Sequence, residues 1–288
     1  MNDPIASSSN SHRPAWQLPP GVSRGTWDYC RTPAIATEYD QFHGAHPLLD
    51  FDQGWIATQI ERCGIASDGV GTILDLGCGT GRAMVPWYAA GWRTIGLDLS
   101  PTMLEESQLK LSSMQSVRSD SSPGLIHGNL AQLECLASET IDVAVCLYSS
   151  IGMVRGREHR INMIQNVKRS LRGNGLFIVH CHNRGMWLRE PGGWIRTAKS
   201  YYRSLRDSGW EHGDRIYPYR GLPSMFLHIF SFREMLEDFK EAGFADIEYL
   251  YLNATSSGPL KWSFWIPKWR AGGFLFAARS DSQVACGA

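Results

Sequence analysis

Thr72-Ile73-Leu74-Asp75-Leu76-Gly77-Cys78-Gly79-Thr80-Gly81-Arg82 is the stretch that decides the fold. An apolar strand, Thr72–Leu76, runs into a turn with glycine at three alternate positions, and residues 82–90 then carry a helical pattern stopped by Gly91. Strand, glycine turn and helix together make a cradle for a ligand at a helix N-terminus. Dinucleotide sites space their glycines G-x-G-x-x-G. Counted from Gly77 the third position here is Arg82, and counted from Gly79 it is Met84. Neither allows the close helix–strand contact that a third glycine provides. The acid that leads the turn, Asp75, is poorly matched to a pyrophosphate and suits a ligand with an ammonium group. Asp98 ends the next strand, 21 residues beyond Gly77, where an acid can accept hydrogen bonds from ribose hydroxyls. The two acids together describe an amino acid joined to a nucleoside, without phosphates.

Working outward, strands and helices alternate. Arg93–Asp98 is a strand, and Ser100 caps a helix with Pro101 in its first turn that runs to Ser112. Residues 114–123 are Ser-rich loop, residues 124–128 a short third strand, and residues 141–147 a continuous apolar strand of the kind buried on both faces. A helix over residues 157–171, closed by Gly173, leads to a fifth strand over residues 175–180. Such alternation predicts an α/β fold, a doubly wound and mostly parallel sheet with helices on both faces. Residues 183–230 break the rhythm with Trp187, Trp194, Trp210, Tyr201, Tyr202, Tyr217 and Tyr219, and are too long and aromatic for a plain connection. They are expected to form an inserted cap over the carboxyl edge of the sheet. A helix capped by Ser231 then runs to Ala242, with strands over residues 247–252 and 273–278. Upstream, residues 33–64 are helical, and the Ser-, Asn- and Pro-rich residues 1–24 form a disordered arm. One domain, residues 25–288, is expected.

Composition narrows the function classes. Of the 288 residues 43% are hydrophobic and 19% charged, the profile of a globular chain with a sizeable core. Lys plus Arg and Asp plus Glu balance at 28 each, so neither nucleic acid nor an anionic membrane is expected as a general partner, although a local basic patch can hide in a neutral total. The seven cysteines include no CxxC pair, which argues against zinc and a disulfide framework and for a reducing, cytoplasmic setting. No apolar run is long enough to span a bilayer, and residues 1–20 lack the apolar core of a secretory signal.

The run ILDLGCGTGR over residues 73–82, followed by GLDLSPTML over residues 96–104, resembles the first two motifs of the class I S-adenosylmethionine (SAM)-dependent methyltransferases. The likeness extends from Thr72 to His182, with a weaker echo in FLHIFSFREMLEDFKEAGF. It implies a seven-stranded sheet with one antiparallel strand near its edge, and SAM as cofactor. It places Gly77, Gly79 and Gly81 under the methionine part of SAM, Asp98 on the ribose and Leu99 beside adenine. Asn129 falls where the family usually carries an acid for the adenine amino group, and its carbonyl oxygen can accept the same bond. Leu130 would offer its backbone N–H to the ring. Cys78 in the turn and Cys146 at the end of the fourth strand complete the expected cofactor set with Asp75.

Two segments reach the carboxyl edge where the acceptor would sit: Tyr148-Ser149-Ser150-Ile151-Gly152-Met153 and His180-Cys181-His182-Asn183-Arg184. The expected catalytic residues are His182, as a base of usable pKa, Tyr148, and Asn183, to orient a polar substrate. Tyr29, Arg31 and Tyr39 are expected to fold over SAM, with Arg31 on its carboxylate. Neighbouring strand residues point to opposite faces, so His180, Cys181 and His182 are not expected to share a metal. The Asp/Asn-Pro-Pro-aromatic run of nucleic-acid amine methylating enzymes is missing after the fourth strand, where Leu147-Tyr148-Ser149-Ser150 stands. The expected activity is methylation of a small molecule; a protein or RNA methyltransferase and a non-catalytic SAM-binding module are the alternatives. Oligomeric state and acceptor atom are not encoded in these motifs.

Overall fold

The structure, a computed structural model, describes residues 17–43, 48–66, 70–114 and 122–280. In chain order come α1 (Arg24–Cys30), α2 (Pro33–Thr37), α3 (Tyr39–His43), α4 (Leu48–Arg62), β1 (Thr72–Leu76), α5 (Val85–Ala89), β2 (Arg93–Asp98), α6 (Pro101–Ser112), β3 (Gly124–His127) and β4 (Ile141–Cys146). They are followed by α7 (Arg157–Ser170), β5 (Leu171–His182), α8 (Gly193–Ser204), β6 (Asp214–Tyr219), β7 (Leu222–His228), α9 (Phe232–Glu241), β8 (Asp246–Tyr251), α10 (Pro267–Arg270) and β9 (Gly273–Arg279).

The main sheet has seven strands in the order β3-β2-β1-β4-β5-β9-β8. β1 to β5 pair in parallel, and β9 runs antiparallel between β5 and β8. The chain leaves β1 toward β3 on one side and resumes at β4 on the other, so the carboxyl ends of β1 and β4 part at a topological switch point. A crevice opens there. β1 is buried along its whole length. Leu74 and Leu76 face one core with Phe177 and Phe239, and Ile73 faces the other with Ile56 and Ile178. A parallel strand covered on both sides has no polar face, and for that reason its sequence reads as a continuous apolar run.

The helix after the glycine turn is shorter than its pattern predicts: α5 begins at Val85, with Pro86 in its first turn. Ser100 caps α6 as expected, its hydroxyl accepting from the Met103 N–H. β5 starts directly at the end of α7. The segment over residues 183–230 contains a 3₁₀ turn at Arg184–Arg189, α8, and the antiparallel hairpin β6–β7 as a separate two-stranded sheet.

The arm expected over residues 1–24 differs at its end. Residues 1–16 lie outside the described residues, but Val22 bridges Val154 and is buried, and Ser23 caps α1. The signal in the sequence was Ser23 three residues before Thr26, with Tyr29 and Cys30 continuing one helical face. Gly25 carries α1 onto β7: a Cβ there would stand 1.7 Å from the Ser224 carbonyl oxygen. Gly25→Ala is therefore expected to lever α1 off the hairpin at a cost of about 1–3 kcal/mol. Gly54→Ala, in the interior of α4 with nothing within 4 Å of the new methyl, is expected to leave stability unchanged or raise it by up to about 1 kcal/mol. Parallel urea melts of the two variants check the contrast.

Buried charges fasten the hairpin to the main sheet. Arg160 of α7, with no exposed surface, donates to Glu211 at 2.6 Å, and Arg157 reaches Asp238 of α9 at 2.7 Å. His228 of β7 sits between Asp214 and Glu234, at 2.7 Å from each. Burial and Arg160 oppose charge on this imidazole, but the two carboxylates outweigh them and raise its pKa. Glu211, His228 and Glu234 are close enough together to suggest a metal site. The Arg160 guanidinium already lies against both glutamates, 2.6 and 3.9 Å away, and supplies the positive charge the cluster needs.

Candidate active site

A cavity of about 300 Å³ opens at the switch point. Its floor is the glycine turn. The N–H groups of Gly77 and Cys78 both donate to the Leu97 carbonyl, at 2.8 and 3.1 Å, which stitches the turn to β2. Gly79 has a φ of +52°, a conformation that costs glycine nothing, and its N–H points at Asp98 Oδ2, 2.8 Å away. The other carboxylate oxygen accepts from Ser100 N at 2.8 Å. Burial raises the Asp98 pKa, and these backbone donors work against that shift. The carboxylate is thus held rigid at the cavity wall by neutral dipoles, with lone pairs left for a ligand.

The remaining cofactor candidates divide into two sets. Gly77, Gly79, Asp98, Leu99, Asn129 and Leu130 all line the cavity. Asn129 is already engaged: its Nδ2 donates to the Pro20 carbonyl at 2.8 Å and its Oδ1 accepts from Ala131 N at 3.1 Å. Asp75, Cys78, Gly81 and Cys146 lie beneath the cavity and outside its lining. Asp75 is buried in β1 with Oδ2 unpartnered, and burial, then Asp98, push its pKa up to about 7. Gly81 turns against α6, where a Cβ would meet Ser107 Oγ at 2.3 Å. Cys146 is fully buried, and burial drives its thiol pKa upward.

On the acceptor side, the turn just beyond β4 holds two successive left-handed residues, Tyr148 (φ 54°) and Ser149 (φ 62°). Side chains with a Cβ adopt this conformation at a cost of order 1–3 kcal/mol each, so it persists only where neighbours enforce it. Here β5 enforces it: Ser149 N donates to the His180 carbonyl at 2.9 Å, and Ser149 Oγ accepts from His182 N at 3.3 Å. The turn delivers Tyr148 to the cavity lining, and its hydroxyl, though buried, has no hydrogen-bond partner.

His182 lines the same cavity. Burial, then the neighbouring His180, pulls its pKa down to about 4, below the value expected of a base working at neutral pH. Behind it, His180 Nδ1 and Asp52 Oδ2 are 2.7 Å apart with both side chains fully buried, while His180 Nε2 and Asp52 Oδ1 have no partner. Asp52 was not among the sequence candidates. It shares the buried face of α4 with Ile56 and Ile60, and an acid at that helical spacing was the available signal.

Asn183 does not line the cavity. Its Nδ2 donates to the carbonyls of Lys268 and Ala271 and its Oδ1 caps the next turn, so the side chain ties strand to loop. Tyr29 and Tyr39 do line the cavity from the N-terminal helices, and the hairpin contributes Tyr217 and Tyr219. Arg31 instead lies at the surface over the Trp27 ring. Trp187 is buried elsewhere in the cap and Trp194 is exposed.

The lining fits SAM. Asp98 offers acceptors for vicinal hydroxyls, Leu99, Met103 and Leu130 offer apolar surface for a flat base, and no Lys or Arg stands among the described lining residues to meet a phosphate.

Residues 73–175 match the family model described as "Methyltransferase domain". The chain is 26% identical over 149 residues to a putative methyltransferase, YqeM, of Bacillus subtilis, an alignment covering 52% of this chain and 54% of that protein. The chain thus spans about half the length of this curated relative. Among solved structures, a SAM-dependent methyltransferase of Methanosarcina mazei superposes with a TM-score of 0.57 at 16% identity, covering 73% of this chain and 92% of the other. The glycopeptide N-methyltransferase MtfA complexed with sinefungin superposes with a TM-score of 0.52 at 17% identity, covering 79% and 86% of the two chains. These two share the fold. Motif, sheet order and family match agree that residues 73–175 form a methyltransferase domain, on a fold shared with SAM-dependent methyltransferases.

Proposed function

We propose that the protein transfers the methyl group of SAM to a small organic acceptor held beneath its tyrosine-lined cap. The observation that carries this is a single cavity that brings Tyr148, His182 and the cap tyrosines Tyr217 and Tyr219 together with Asp98 and Gly79. Bound SAM supplies a methyl group activated by its sulfonium charge. The chain's own work is alignment and exclusion of water. Asp98 would accept from the ribose hydroxyls, and the backbone of Gly77 and Gly79 would hold the amino-acid part. Tyr148 and His182 hold the acceptor, and Tyr29, Tyr39, Tyr217 and Tyr219 close the cavity around it. A neutral imidazole of low basicity accepts a hydrogen bond without removing a proton. That suits an uncharged nitrogen acceptor, which needs no base until after transfer. The free thiols of the six described cysteines support a cytoplasmic setting.

Labelled SAM supplied to the protein with a metabolite extract, total RNA and total protein tests the proposal. Label is expected in a small molecule. Label confined to RNA or protein overturns it in favour of a macromolecular acceptor, and tight SAM binding with no transfer favours a non-catalytic binder. With the acceptor in hand, His182→Ala is expected to raise its KM by about tenfold, the value of one hydrogen bond, with a smaller change in kcat. Because His182 stays neutral down to about pH 4, no acid limb near pH 6.5 is expected in kcat/KM. An acid limb near 6.5 that disappears in the variant would show His182 to be an ordinary base.

A further inference from the structure

Lys261-Trp262-Ser263-Phe264-Trp265-Ile266-Pro267-Lys268-Trp269-Arg270, between β8 and β9, takes no part in the cavity. Its large apolar side chains face solvent: Phe264 is 81% exposed, Trp262 69%, and Trp265, Ile266 and Trp269 at least 50%. Apolar surface concentrated in this way marks an interaction site.

The loop is held in this display by its own hydrogen bonds. Arg270 donates to the carbonyls of Trp262, Trp265 and Lys261 at 2.8, 3.2 and 3.0 Å, and its guanidinium lies 5.4 Å from the centroid of the Trp265 ring. Arg189 donates to the Trp269 carbonyl at 3.1 Å and Asn183 to that of Lys268 at 2.9 Å. These carbonyls are satisfied within the protein, as a loop entering a medium poor in water requires.

Charge selects the partner. From Tyr249 to Arg270 the chain contains no Asp or Glu, while Lys261, Lys268 and Arg270 fall within it. The neutral total charge of the whole protein conceals this segment. Tryptophan with neighbouring Lys and Arg is the composition that settles at the headgroup level of a bilayer, with the cations attracted to anionic lipid. No helix among the described residues is long and apolar enough to cross a membrane, so the contact would be peripheral. His182 pairs with Gly273 in the sheet, which puts the root of the loop at the same carboxyl edge of β5 that borders the cavity.

We infer that the loop docks the protein on an anionic lipid surface, with Trp262, Phe264 and Trp265 among the headgroups and Lys261 against their phosphates. The inference is independent of which acceptor is methylated. Sedimentation of the full chain with vesicles of phosphatidylglycerol and phosphatidylcholine in equal parts, and with pure phosphatidylcholine, tests it. Binding is expected to the anionic vesicles, weakened by salt and by pure phosphatidylcholine. The triple change W262S/F264S/W265S, confined to exposed positions, is expected to reduce it at least tenfold. Lys261→Glu, which leaves the aromatics in place, should reduce it about fivefold or more. Wild-type protein that stays in the supernatant at low salt overturns the inference, as does a triple variant that binds like wild type. A concentration-dependent self-association lost in the triple variant, without vesicle binding, would reassign the loop to a contact between copies of the chain.

Discussion

Asp98→Ala is expected to weaken SAM binding on the order of a hundredfold. A hydrogen bond to a charged group is worth about 1.5–3 kcal/mol, and about 1.4 kcal/mol is a factor of ten. Two ribose hydroxyls on one carboxylate therefore reach that size. The change also strips the Gly79 and Ser100 N–H groups of their acceptor, 2.8 Å away in each case, so the turn that holds the cofactor loses a brace. Asp98→Asn, which keeps one carbonyl oxygen, is expected to fall between the variant and wild type. Calorimetry with the demethylated product reads the loss without turnover. Unchanged affinity in Asp98→Ala would remove the ribose assignment, and with it the main support for how SAM lies in the cavity. Thermal protection should follow the same order, because a ligand that binds only the folded state stabilises it by RT ln(1 + [L]/Kd). NAD is expected to protect none of the three proteins.

The second large effect is in the cap. Arg160→Met is expected to destabilise the protein by about 3–5 kcal/mol, the cost of breaking a buried ion pair by removing one partner. Arg160 has no exposed surface, and methionine leaves Glu211 and Glu234 facing each other around His228 without it. The loss should depend on pH. Asp238 carries a pKa of about 6, raised by burial against the opposing pull of Arg160 and then Arg157. A carboxyl whose folded pKa exceeds its unfolded one penalises folding above both values, and the penalty fades as pH falls through the folded pKa. Removing Arg160 raises that pKa further, so the gap between variant and wild type is expected to be wider at pH 8 than at pH 6. Urea denaturation at both pH values checks the sign. Because the cluster fastens β6–β7, and that hairpin carries Tyr217, Tyr219, Met225 and Leu227 to the cavity, the acceptor KM should rise while SAM affinity changes little. An equal loss of both would mean that the hairpin supports the cofactor side as well.

Much of this molecule was legible in one dimension because its signals are local. The strand Thr72–Leu76, its three spaced glycines and Asp98 are separated by fewer than thirty residues, and backbone geometry alone converts that spacing into a cradle. Ser100 with Pro101 announced α6, and the apolar run over residues 141–147 announced a central strand, for the same reason. The acceptor side was less legible, since its wall is assembled from segments far apart. The Asp52–His180 pair joins residues 128 apart, and Arg220 reaches back to the Ile35 carbonyl and to Glu38 across more than 180. No pattern within a single element encodes such pairs.

Tertiary packing also changed what individual residues can do. His182 carries an ordinary imidazole in the sequence, and burial beside His180 lowers its pKa to about 4. Asn183, one residue on, is turned away from the cavity to hold the aromatic loop, because Lys268 and Ala271 present carbonyls that need a donor. The sequence by itself determined the parallel sheet, the glycine turn and the acid that ends β2, all properties of hydrophobic period and chain geometry. Only the tertiary structure decided which polar groups are left without partners, Tyr148 among them, and where the five exposed aromatic and aliphatic side chains of the loop point. Desolvation and hydrogen-bond completion depend on everything that surrounds an atom, and a chain acquires those surroundings only when it folds.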